Sequence, residues 1–127
     1  MFDIEVCTDP KVYLFRFHGP LTEADFARLD ALARETKDGP AHDCIFDMSR
    51  VDKVDMATEF VSKRGELPQA FAGRARIYVV PQEDLKLLVR LYAAYQASRG
   101  WRPPDIVETI GQAFDSLGVS GSDFRPA

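Results

Sequence analysis

Cysteine and histidine are scarce in this chain, with two of each among 127 residues. Cys7 and Cys44 lie far apart and in strand-like runs. They read as reduced, buried small hydrophobes, and nothing suggests the disulfide framework of a secreted protein. No Cys-x-x-Cys or His-Glu-x-x-His spacing occurs, so a metal site has no support. No glycine-rich phosphate loop and no Gly-x-Ser-x-Gly turn is present either. A nucleophilic pair of Cys44 with His18 or His42 is conceivable in a folded sheet, yet nothing marks an electropositive thiol environment. An enzyme is therefore the least supported class, and no cofactor is expected.

Basic residues are not in excess. The net charge is −4, which argues against non-specific nucleic-acid binding, a property of clustered Lys and Arg. Acidic residues concentrate in the first half, so a partner of that half is expected to be basic or neutral. No apolar run reaches membrane-spanning length. Asp3 and Glu5 interrupt the place where a signal peptide would need its apolar stretch. The expectation is a cytoplasmic protein with no membrane insertion. Its length suits a single domain, here residues 1–119, with residues 120–127 reading as a flexible polar tail.

What is present is a clear alternation of elements. Phe2–Thr8 alternates apolar and polar residues, as a half-buried strand should. Asp9-Pro10-Lys11 is a turn signal, and Val12–His18 is a second strand rich in aromatic and β-branched residues. So short a connection makes the pair an antiparallel hairpin. Gly19-Pro20 reads as the end of that strand. Thr22 and Asp25 stand in capping-box register ahead of a helix with Phe26, Leu29, Leu32 and Ala33 on one face.

Asp43–Met48 reads as a short buried strand, Ser49–Val54 as a polar loop, and Asp55 as the cap of a second helix. Gly65 weakens that helix, and Pro68 breaks or kinks it. Arg74–Val80 is the next strand. Pro81 leads into the strongest helix, which Arg99-Gly100 closes. Asp105–Glu108 is a short strand candidate, and Thr109 begins a last helix closed by Gly118. The order β-β-α-β-α-β-α-β-α implies an α/β fold: an antiparallel hairpin, then parallel strands joined by right-handed crossovers.

Sites in open α/β sheets usually lie beyond the carboxyl ends of strands. Here that is the Ser49–Thr58 region. Asp47 can anchor the loop backbone by Asx-type hydrogen bonds. Asp52 has no structural duty visible in the sequence. A second surface comes from the third helix, where Leu87, Leu91, Tyr92 and Tyr95, with Trp101 just beyond, extend past the usual apolar stripe. That surface suits a small apolar ligand or lipid, or the face of a homodimer.

Phe46-Asp47-Met48-Ser49-Arg50-Val51-Asp52, followed by Asp55-Met56-Ala57-Thr58, resembles the STAS domain. This is the fold of bacterial anti-sigma-factor antagonists and of sulfate-transporter tails. There a segment like Leu-Asp-Leu-Ser-Gly-Val-Asp precedes an Asp-Ser-Ser-Gly turn, whose second Ser a partner kinase phosphorylates. The resemblance covers roughly residues 2–118. Ala57 falls at the phosphorylated position and has no hydroxyl, so switching there is excluded on this alignment. The chain is more similar to divergent bacterial STAS-like proteins without the serine switch, some of which are compared with CRAL-TRIO lipid-binding domains. The resemblance implies a non-enzymatic regulatory module. Its partner would be an unidentified protein, bound through Ser49, Asp52, Asp55, Met56 and Thr58. The alternative is an apolar-ligand site at Leu87, Leu91, Tyr92, Tyr95 and Trp101.

Overall fold

The computed structural model describes residues 1–71 and 74–127. Strand β1 (Phe2–Thr8) and strand β2 (Lys11–Thr22) form the expected hairpin. They pair antiparallel from Phe2 opposite Phe17 to Thr8 opposite Lys11. Then come α1 (Glu23–Thr36), β3 (Asp43–Asp55), α2 (Thr58–Gly65), β4 (Arg76–Val79), α3 (Glu83–Ser98), β5 (Asp105–Val107) and α4 (Ile110–Leu117). Strands β2 to β5 run parallel, each beside its predecessor. The expected α/β order is therefore present. The mixed sheet has the spatial order β5-β4-β3-β2-β1-β6, where β6 is Arg125–Pro126.

Two helix starts follow directly from local chemistry. Thr22 caps α1 and Thr109 caps α4. Each forms a reciprocal box with the side chain three residues on, Asp25 and Gln112 respectively. These boxes satisfy amides that the first helical turn leaves without partners. Gly118 ends α4 with φ 68°, a left-handed conformation that glycine adopts without a Cβ penalty.

The sheet divides the core in two. Phe15, Phe46, Tyr78 and their neighbours pack with Phe26 and Leu29 of α1, Val61 of α2, and Leu85, Val89 and Tyr92 of α3. Phe46 stacks between Phe15 at 5.3 Å and Tyr78 at 4.6 Å. The opposite face is smaller. There Val12, Leu14, Ile45, Ile77 and Val79 meet Ala113 of α4, Val119 and Phe124.

Residues 120–127 are not the loose tail that their polarity suggests. Gly121–Asp123 form a 3₁₀ turn, and Arg125–Pro126 pair with Glu5 and Val6 of β1. Phe124 is buried and stacks on Phe114 at 5.5 Å. One apolar ring in a polar octapeptide is enough to dock the segment, because burying it contributes about 1.5–3 kcal/mol.

Helices α2 and α3 approach closely. A Cβ on Gly65 would lie 2.5 Å from Tyr95 Cβ, so this glycine is needed for the approach. Behind it sits a buried polar knot. The Gln96 amide donates to the carbonyl oxygens of Gly65 at 2.7 Å and Leu67 at 2.9 Å. Arg76 donates to Tyr92 Oη at 3.1 Å and to the Arg102 carbonyl at 2.8 Å. The two Gln96 bonds satisfy carbonyl groups at the end of α2 from inside the protein.

Candidate functional site

Strand β3 changes character half-way along. Cys44–Met48 is buried throughout, and Cys44–Asp47 pair with β4 on one side and β2 on the other. From Ser49 to Asp55 the strand continues but pairs only with β2. The expected Ser49–Val54 loop is therefore an extended overhang, paired along one edge.

The register explains why it reads as a loop. Arg16 faces Asp47, yet His18 faces Arg50; Gly19 faces Val51, yet Pro20 faces Lys53. At each shift β3 carries one extra residue, which is the signature of a β-bulge. Residues turned to the aromatic core thus recur every third position: Met48 and Val51 are buried, and Val54 packs against them. A strand is recognised in sequence by a period of two. The bulges hide it and push Ser49, Arg50, Asp52, Lys53 and Asp55 outward, all exposed. The same pairing carries β2 through Gly19-Pro20 to Thr22. Gly19, at φ 69°, supplies the left-handed turn of backbone that this irregularity requires.

Both flanks of the first bulge are pinned by side chains. On one, Asp47 Oδ1 accepts from Ser49 N at 3.0 Å and from Ser49 Oγ at 2.7 Å. This is the Asx-type anchor expected of Asp47. Arg16 stands 3.5 Å from the other Asp47 oxygen and donates to Glu5 at 2.6 Å. On the other flank, Gln82 Nε2 donates to the carbonyl oxygens of Met48 at 2.9 Å and Val51 at 3.0 Å. Its own amide oxygen is buried without a partner among the described residues. Sequence reasoning missed Arg16 and Gln82, since neither lies near Ser49 in the chain.

Asp55 does not cap α2. It faces Thr22 in the β2–β3 ladder, and the cap position belongs to Ala57, which has no side-chain acceptor. The strand runs further than expected because the pairs Leu21–Val54 and Thr22–Asp55 extend the sheet. The start of α2 is therefore uncapped and exposed at Thr58 and Glu59, next to half-buried Met56. Ser49, Asp52, Asp55, Met56 and Thr58 thus sit along the overhang and its exit. Among the described residues Arg50, Asp52, Lys53 and Asp55 make no ion pair, and no group of three potential metal ligands converges.

The apolar-ligand residues scatter. A cavity of about 40 Å³ lies between α2, α3 and the sheet, bordered by Met48, Met56, Phe60, Leu88 and Tyr92 among others. Of the five residues expected there, only Tyr92 lines it. Leu87 points away and is 64 % exposed. Cys44 is buried, which pushes its thiol well above the ordinary range; Asp43 adds to the shift and Arg76 opposes it. The Cys44 thiol faces the His42 carbonyl, while the His42 ring stacks on Tyr13 at 4.1 Å. That geometry builds no thiolate nucleophile.

A solved structure from Shewanella loihica PV-4 matches this arrangement. It is an uncharacterized protein from the DUF3478 family with a SpoIIAA-like fold. The two chains are 17 % identical, with a TM-score of 0.54 and 92 % of each chain covered. The fold is SpoIIAA-like. No family model and no curated protein matches the sequence. At this identity the likeness speaks for the SpoIIAA-like architecture and leaves the chemistry to this chain's own residues. Among the described residues no helix is long and apolar enough to cross a membrane.

Proposed function

We propose that this SpoIIAA-like chain is a non-enzymatic regulatory module that docks a protein partner on the β3 overhang and the start of α2. The observation that carries this reading is the overhang itself. Seven residues run on past the end of β4 as a ribbon paired to β2 and pinned from both flanks, and among the described residues the other edge has no strand neighbour beyond the Gln82 clip. Open strand edges offer backbone groups to an incoming chain. The exposed Arg50, Asp52, Lys53 and Asp55 would set which chain is accepted. Ala57 carries no hydroxyl, so this reading involves no phosphoryl switch at that position.

The test is capture from an extract of the source organism on immobilised protein, comparing wild type with Asp52→Lys/Asp55→Lys. A partner retained by wild type and lost by the variant at equal thermal stability supports docking here. A partner retained equally by both places binding elsewhere.

A second reading, an apolar-ligand binder, is favoured by the lining of the small cavity. Met48 and Met56 are adaptable side chains. Its volume is far below the roughly 300–1,000 Å³ of ordinary ligand pockets. Native mass spectrometry of gently purified protein checks it: a stoichiometric apolar adduct supports the reading, and a bare chain removes it. Self-association through exposed Leu87 is tested by sedimentation, where Leu87→Glu should abolish any dimer.

A further inference from the structure

A second region of the molecule has the chemistry of a ligand site, at the opposite end of the parallel strands from the overhang. One groove of about 290 Å³ runs between the last turns of α1 and the segment after α2, with Asp30, Arg34, Lys37 and Arg64 in its walls. A second, of about 230 Å³, lies beside Tyr13, Lys37, His42 and Phe71. Ala33, Lys37 and Ala70 line both, so the two adjoin. The larger comes close to the roughly 300 Å³ at which small-molecule sites begin.

The two ends differ in character. The first holds three cations against one carboxylate. That carboxylate, Asp30, is fully engaged by Arg64, at 2.8 and 2.9 Å. Arg34 and Lys37 make no ion pair among the described residues. The end of α1 offers them only about half an elementary charge of the opposite sign. Positive potential therefore remains in a protein whose net charge is negative. The other end is a set of flat rings. His42 stacks on Tyr13, and Phe71 lies 6.1 Å from Tyr13 at an inclined angle. The His42 ring is held by its Nδ1 contact to the Pro40 carbonyl at 2.9 Å. Flat rings favour stacked or edge-on aromatic guests. Leu67, 58 % exposed, stands on the rim as an apolar contact.

We infer that this groove binds a small organic anion carrying an aromatic ring, with the ring against Tyr13, His42 and Phe71 and the anionic group toward Lys37 and Arg34. This site is independent of the partner-docking overhang, and either can fail without the other.

The probe is 2-naphthoate, titrated into isotope-labelled protein and followed by amide chemical shifts, with acetate and 2-naphthalenemethanol as controls. Saturable shifts at Lys37, Ala41, His42 and Ala70 are expected. Arg34→Glu/Lys37→Glu should weaken binding by about tenfold or more through charge reversal alone. Both residues are on the surface, so the fold should hold; carboxylates at the carboxyl end of α1 should lower the melting temperature modestly, and melting curves separate that from lost binding. His42→Ala should weaken naphthoate severalfold and leave acetate unchanged. The inference is overturned by any of three results: no saturation at millimolar naphthoate, equal binding of the neutral alcohol, or shifts confined to Met56, Phe60 and Leu88 around the apolar cavity.

Discussion

The two halves of β3 share one backbone and meet opposite surroundings. Cys44–Met48 has strand neighbours on both edges, side chains buried on both faces, and an aromatic stack through Phe46. Ser49–Asp55 has one neighbour, two bulges and mostly exposed side chains. The first half holds the domain together. The second is held by it, through Asp47 on one flank and Gln82 on the other. Substitutions in the two halves should therefore separate stability from binding.

The largest effect belongs to the buried half. Phe46→Ala should cost about 3–5 kcal/mol, because a ring stacked on both sides leaves a cavity that packed neighbours cannot close. Chemical denaturation measures it. On the opposite sheet face, Phe124→Ala should cost about 2–4 kcal/mol and release the β6 segment, visible as faster amide exchange at Ala127, whose amide donates to Ile4. An unchanged midpoint would mean that residues 120–127 do not contribute to the core.

Gly65→Ala is smaller, about 1–3 kcal/mol of overpacking against Tyr95. Its sign is informative, since alanine ordinarily favours a helix over glycine. A stabilised variant would show that α2 and α3 do not pack this closely.

Asp25→Asn should cost about 1 kcal/mol at neutral pH, because the bond from Thr22 N and the contact with the Met1 ammonium lose their charge. Burial alone would raise the Asp25 pKa. The Met1 ammonium, the Thr22 amide and the Thr22 hydroxyl outweigh burial and hold it below the ordinary value. A lowered folded-state pKa contributes stability above the unfolded carboxylate value of about 3.9 and loses it as pH falls through the folded value. The stabilities of wild type and variant should therefore converge in acid. Denaturation midpoints measured down that range check it, and a constant gap would assign the loss to shape rather than charge.

Much of this was legible in the sequence where local chemistry decides the outcome. The bounds of β1 follow from the alternation over Phe2–Val6 and the turn signal at Asp9-Pro10-Lys11, and the starts of α1 and α4 follow from Thr22 with Asp25 and from Thr109. What was hidden required tertiary partners. The bulges turn a period of two into a period of three at Met48, Val51 and Val54, so a strand resembles a charged loop. Gly19-Pro20 looks like a stop and is carried through by pairing with β3. Gly65 looks like a weak point in α2 and is a contact point for α3. Gln82, a polar residue at a helix start, is recognisable as a clip only once β3 lies beside it.

The smallest effect on stability should be Asp52→Lys/Asp55→Lys, within about 0.5 kcal/mol, since both residues are exposed and make no ion pair among the described residues. The most direct test of the exposed half uses a photo-activated cross-linking residue at position 52, and separately at exposed Arg90 on α3, in the source organism. The docking reading predicts a discrete heterologous adduct from position 52 and none from position 90. An adduct from position 90 alone would contradict it and move the interface to α3.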